Sequence, residues 1–157
     1  MLRDALEEMR AGGSAPGYPA FLTLFARGLG LAGQVTQGLA VIDQALKWSE
    51  RHEERWSLPE VLRNKAELLL LGGSVGAAIG AEDCFRQALD WAHQQGALSW
   101  ELRAATSLAQ LLRDRDRVGE AHDLVASVYR RFTEGFETAD LQTAKRLLDE
   151  LKDTVAG

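Results

Sequence analysis

Three stretches of this chain carry one triplet at one spacing: Gly38, Ile42 and Ala45; Ala81, Phe85 and Ala88; Ala121, Val125 and Val128. Steps of +4 and +7 put the members of each triplet on one side of an α-helix. The order is small, large, small, with valine closing the third copy. Small residues admit a second helix closely, and the large one fills the groove between them. Each copy therefore needs a partner helix with a matching stripe, and such stripes are present. Ala26, flanked by Leu22, Phe25 and Leu29, stands twelve residues before Gly38; Ala109, flanked by Ala105, Leu108 and Leu112, stands twelve before Ala121. In the middle copy Ala66, with Leu62 and Leu69, precedes Ala81 by fifteen. A loop takes up extra residues at little cost, so the Gly-rich stretch Gly72–Gly80 is assigned the three added ones.

The turns fit the same phase. Pro19 and Pro59 hold equivalent places at the start of a first helix, where a missing N–H costs nothing. Ser57 with Glu60 reads as a capping box, Ser99 as a cap for the third first-helix, and Thr138 as a cap for a final one. Gly30 and Gly33, Gly72 to Gly76, and the charged run Asp114–Arg117 mark the turns between helices. No segment alternates apolar and polar residues over strand length. The chain is expected to be all-α: helix pairs at 18–54, 57–95 and 97–132, a leading half-repeat at 1–12 (Leu2, Ala5, Leu6, Met9) and a closing helix at 138–155 (Leu141, Ala144, Leu148, Leu151). Together they form one domain over 1–157.

Composition narrows the function. With 46% hydrophobic and 26% charged residues the chain is globular, and its net charge of −5, spread through mixed acids and bases, offers no basic face for nucleic acid or an anionic membrane. One cysteine, Cys84, excludes an internal disulfide framework and suits a cytoplasmic setting. The mixed-charge stretch Arg3 to Arg10 is no signal peptide. The uncharged run between Glu67 and Glu82 is too short and too glycine-rich to span a membrane.

Leu22, Phe25, Ala26, Leu29, Gly38, Ile42 and Ala45, and again Leu108, Ala109, Leu112, Ala121 and Val125, fill the pattern of the tetratricopeptide repeat. Residues 18–132 resemble that family, a helix–turn–helix unit of about 34 residues. The resemblance implies an α-solenoid of antiparallel helix pairs (an α-α superhelix). There are departures: the triplets lie 43 and 40 residues apart. Glu50, His93 and Thr133 stand where a proline closes the standard unit, and Lys65 replaces a large apolar residue. A narrower likeness rests on Gly33-Gln34-Val35 with Gly38-Leu39-Ala40, and on the strings from Ala81 to Leu89, Gly96 to Ala105 and Phe132 to Leu141. These resemble the C-terminal region of large bacterial signalling proteins, in which a class III adenylate or guanylate cyclase domain or a predicted AAA/STAND-type ATPase precedes the repeats. A chain opening in mid-repeat, as Ala5 lying 33 residues before Gly38 suggests, is expected to be a fragment of such a protein.

Chemistry-bearing patterns are weak. Gly72–Gly80 lacks the lysine of a phosphate loop. His52, His93 and His122 stand far apart without ligand spacing, and His122 with neighbouring Asp123 is expected to point to different sides of a helix. Cys84, beside the core position Phe85, is expected to be a buried, inert thiol, and the tryptophans packing residues. No catalytic residue, metal or cofactor is expected.

In the resembled fold the first helices line a concave groove. By register that face carries Thr23 and Arg27; Glu60, Arg63, Asn64 and Glu67; and Arg103, Thr106, Ser107 and Gln110. Glu60, Arg63 and Glu67 share a helix face. Arg63, Asn64 and Arg103 resemble the clamp with which some relatives hold a peptide carboxylate, although Glu60 and Glu67 would oppose an anion. The expected partner is a protein or peptide segment, which another domain of the same polypeptide could supply; a homodimer is compatible. The alternative is a small-molecule effector-sensing domain of a STAND-type ATPase or transcriptional regulator.

Overall fold

A computed structural model of the chain describes Asp4, Glu7, Glu8, Ala11, Gly12 and residues 16–157. The leading-helix positions Leu2, Ala5, Leu6 and Met9 lie outside the described residues. The described chain is helical without a strand: α1 (Tyr18–Leu31), α2 (Val35–His52), α3 (Leu58–Gly72), α4 (Ala77–Gln94), α5 (Leu98–Asp114), α6 (Val118–Tyr129) and α7 (Ala139–Ala156). Where the sequence suggests one domain, contacts divide the chain into two compact units, Met1–Cys84 and Phe85–Gly157.

Within the first unit α1 packs on α2, and α3 packs on both; within the second α5 packs on α6, and α7 on both. Helices joined by turns as short as 32–34 and 115–117 and packed together must fold back as hairpins. The first unit's core gathers Tyr18, Leu22 and Ala26 of α1, Ile42 and Ala45 of α2, and Val61 and Leu68 of α3. All three triplets are buried: Ile42, Ala45, Ala81, Ala88, Ala121 and Val125 are fully so, with Gly38, Phe85 and Val128 nearly so. Ala26, Ala66 and Ala109 are likewise at 0% exposure. Burial of a side chain such as Ile42 contributes about 1.5–3 kcal/mol.

Gly38 shows why one position had to be glycine. A Cβ there would stand 2.9 Å from the carbonyl oxygen of Ala26 and 3.4 Å from Leu68. The backbones of α1 and α2 therefore meet with no room for a methyl group. Gly73, at φ 60, closes α3 in the left-handed conformation that glycine adopts freely. The extra length of the middle copy is shared among the end of α3, the turn 73–76 and the start of α4, so Gly80 lies inside a helix rather than in a loop.

The helix starts agree with expectation at the prolines and differ at the caps. Pro19 and Pro59 occupy first turns. Ser57 is the N-cap of α3, but at φ −92 and ψ −2 it leaves the extended conformation that aims a hydroxyl at the first turn, and it makes no capping bond. Its hydroxyl is buried without a partner. Ser99 lies within α5, whose N-cap is Ala97. Thr138 is the N-cap of α7 in extended conformation, again without a side-chain bond. A carboxylate elsewhere fixes the entry to the first hairpin: Glu54 Oε1, in the turn before α3, accepts from Gly17 N at 2.6 Å and Trp56 Nε1 at 2.9 Å.

Candidate interaction surface

The ten groove positions fall in two sets. Thr23 and Arg27 (α1) with Glu60, Arg63, Asn64 and Glu67 (α3) belong to the first unit; Arg103, Thr106, Ser107 and Gln110 (α5) belong to the second. Three of them do not lie on an open face. Thr23, Asn64 and Thr106 are 5%, 4% and 8% exposed. The Thr23 hydroxyl donates to Pro19 O at 2.8 Å, and Asn64 Nδ2 to Glu60 O at 2.8 Å; Thr106 Oγ1 is buried without a partner. The physical reason is the second neighbour of each first helix. Since α3 packs on α1 as well as α2, and α5 on α7 as well as α6, the buried stripe is wider than one hairpin requires.

Arg27, Arg103 and Gln110 are exposed, while Glu60, Arg63, Glu67 and Ser107 are half-buried. Arg63 is clasped by the two acids of its own helix: Nε lies 2.9 Å from Glu60 Oε1, Nη2 3.1 Å from Glu60 Oε2, and Nη1 binds Glu67 Oε1. Arg103 Nε pairs with Asp140 Oδ2 of α7 at 2.7 Å. A carboxylate clamp needs these groups free for an incoming anion, but here both guanidinium groups already hold carboxylates and the Asn64 amide donates to the backbone. Neither guanidinium group nor the Asn64 amide is thus left open to an incoming anion.

Other groups meet that the sequence reading missed. Glu101 of α5 is 6% exposed; its Oε1 accepts from Arg131 Nη1 at 2.6 Å and lies 3.2 Å from His93 Nδ1, while Oε2 is buried without a partner. Glu120 of α6 accepts from Arg86 Nη2 at 2.8 Å and Arg117 Nη2 at 2.7 Å. Hydrogen bonds from Arg86, then Arg117, hold its carboxyl below the usual range. His122 Nδ1 lies 3.3 Å from Asp123 Oδ1, although neighbours on a helix were expected to diverge. The signal that could have found the cross-helix pairs is separation: Arg86–Glu120 spans 34 residues, and Arg103–Asp140 and Arg113–Glu150 each span 37, close to one helix pair.

Trp48 packs on the edge of the first unit's core, its ring 4.6 Å from that of Tyr18 and stacked at 3.8 Å on His52. Cys84 is buried, and burial pushes its thiol pKa up, opposed by nearby Lys65. Lys65 itself pairs with Asp43 at 3.0 Å. Beside α1 and α2 lies a cleft of about 670 Å³, with Tyr18, Leu22, Phe25, Leu29 and Val41 among its apolar lining and Gln34, Gln37 and Gln44 among its polar groups. Among the described residues no cluster of three metal-ligating side chains occurs, and no helix is long and apolar enough to cross a membrane.

No family model matches the chain. It is similar to a protein of Rhizobium meliloti (strain 1021) described only as uncharacterized, at 29% identity over 109 residues. The match covers 69% of this chain and 10% of that protein, so the chain spans about a tenth of the length of the curated relative it matches.

Proposed function

We propose that this chain is a tetratricopeptide-like α-solenoid module that binds a protein segment by surface complementarity, without catalysing a reaction. One observation carries the reading: α2, α4 and α6 bury a triplet at one spacing, small–large–small in the first two and closed by Val128 in the third, and α1, α3 and α5 bury an alanine at one register position. A packing unit used three times supports a stacked-repeat scaffold, and such scaffolds work through the surfaces that their helices present. The setting is a larger cytoplasmic signalling protein of bacteria with a cyclase or STAND-type ATPase domain, in which the repeats act as a regulatory arm. The resemblance of the strings from Ala81 to Leu89 and Gly96 to Ala105 supports this setting, as does a relative roughly ten times longer than the match.

The exposed cations Arg27 and Arg103 are the probes of choice. Proteins captured from bacterial extract by the immobilised chain, identified by mass spectrometry, should be lost when Arg27→Glu and Arg103→Glu are combined. An unchanged capture profile would remove both positions from the reading. A second reading, the sensing of a small effector, draws on the cleft beside α1, whose apolar lining and three glutamine amides suit an amphipathic molecule. An effector found bound there would put that reading first.

A further inference from the structure

A cleft of about 320 Å³ opens in the second unit, where the last turns of α4 and α6 meet the first turn of α5. Leu89 of α4 and Leu124 and Val128 of α6 form its apolar walls. Its polar groups include Asp90, Glu101 and Ser127. Glu101 is the unusual member. It is 6% exposed; its Oε1 holds Arg131 and His93, yet its Oε2 is buried with no hydrogen-bond partner. A carboxylate oxygen in that state has lost its water, and only a donor from elsewhere makes good the loss.

The remaining polar groups of the cleft are acceptors as well. Ser127 Oγ donates its own proton to Leu124 O at 2.7 Å, which leaves only lone pairs to offer. Asp90 is exposed and, among the described residues, has no ion-pair partner. The nearby donors are spent, since His93 Nδ1 and Arg131 Nη1 both face Glu101 Oε1, at 3.2 Å and 2.6 Å. Gln94 at the rim offers a carbonyl as readily as an N–H. Charge runs the same way. Asp90 and Glu101 outnumber Arg131, and the negative C-terminal ends of α4 and α6 lie here against the single N-terminus of α5.

We propose that this cleft binds a primary alkylammonium group. Such a group brings three N–H donors and no acceptor, which matches Asp90, Glu101 Oε2 and Ser127 Oγ. Its carbon stem lies between Leu89, Leu124 and Val128. The volume equals that of about ten water molecules at roughly 30 Å³ each, enough for a stem of about four carbons. His93 and Arg131, whose side chains are 70% and 44% exposed, are free to shift as the ammonium reaches the covered oxygen. A metal ion fits less well, because the described residues bring no three metal-ligating side chains together. The same chemistry comes from a free amine or from the lysine side chain of a peptide. Neither Arg27 nor Arg103 takes part, so the site stands whether or not those positions meet a partner.

The test is titration of the nitrogen-15-labelled chain, at constant ionic strength, with n-butylammonium chloride and separately with acetyl-Gly-Lys-Gly-amide. Saturable shifts should appear at the backbone amides of Asp90, Glu101 and Ser127, and weaken when salt is raised. Tighter binding of butylammonium assigns the site to a free amine; tighter binding of the peptide assigns it to lysine. Tetramethylammonium, with the same charge and no N–H, should bind at least about tenfold more weakly than butylammonium. Asp90→Asn should weaken binding by at least about fivefold while the melting curve stays that of the wild type. Glu101→Gln should weaken it too, and Asp123→Asn, outside the cleft, should change nothing. The proposal is overturned if neither probe gives saturable shifts at these residues. It is also overturned if tetramethylammonium matches butylammonium, or if Asp90→Asn binds as the wild type does.

Discussion

At the crossing of the first hairpin a glycine faces an alanine, Gly38 against Ala26, with 2.9 Å between the Ala26 carbonyl oxygen and the place of an absent Cβ. The α5–α6 hairpin has two alanines in register at those positions, Ala109 and Ala121, both fully buried. The outer surfaces diverge as well. Around α5, ion pairs tie it to α7, Arg103–Asp140 at 2.7 Å and Arg113–Glu150 at 3.1 Å, and to the turn after α6, Arg131–Glu101 at 2.6 Å. On α1, by contrast, the apolar Phe21, Leu24 and Leu31 are exposed. One packing pattern thus accommodates two residue sizes at the crossing and two kinds of surface: the alanine-sized stripe sets the register, and at Gly38 the backbone of α1 leaves no room for a methyl group.

The sharpest way to break that comparison is to make the first crossing resemble the third. Gly38→Ala should cost about 1–3 kcal/mol, because its methyl meets backbone rather than a yielding side chain. Ala109→Leu should cost a similar amount in the other hairpin, by forcing α5 and α6 apart. Urea denaturation followed by circular dichroism measures both. If Gly38→Ala is neutral, the two crossings do not differ in the way the Cβ distance indicates.

The contrast also marks what could be read from the sequence and what could not. The triplets, Ala26, Ala66 and Ala109, and the prolines opening α1 and α3 were legible because helix periodicity and first-turn sterics are local. Thr23, Asn64 and Thr106 were misplaced because their burial comes from a second neighbour, α3 on α1 or α7 on α5, about one hairpin away in sequence. A register counted within one hairpin cannot register that contact. The same limit hid Glu101, whose partners His93 and Arg131 lie 8 and 30 residues away on other segments. Nor could Leu24 be known as exposed, since the corresponding Asn64 is buried.

A smaller effect tests how the helices start. Were Ser57 a true cap, Ser57→Ala would cost about 1 kcal/mol. Its hydroxyl is instead buried and unpartnered, and removing an unsatisfied polar group is neutral or mildly stabilising, by up to about 1 kcal/mol. A clear loss of stability in the melting curve would mean that the hydroxyl does bond to the first turn of α3, and that Pro59 and the backbone do not open the helix on their own.

The smallest expected effect concerns one ion pair of the second unit. Hydrogen bonds from Arg86 and Arg117 hold the Glu120 carboxyl below its ordinary range in the folded chain, while in the unfolded chain it titrates near the usual value of about 4.3. A folded-state pKa that is lowered adds stability above the unfolded value, and that stability is lost as pH falls through the folded one. The loss therefore belongs to the acid limb, below about pH 4.3, and not to neutral or alkaline pH. Because Glu120 and Arg86 are both about half exposed, solvent screening keeps the contribution to a few tenths of a kcal/mol. Urea midpoints measured from neutral pH down to about pH 3 should fall less steeply for Glu120→Gln than for the wild type. High salt should shrink the gap between the two. Parallel slopes would mean that the pair orders the surface between α4 and α6 without stabilising the fold.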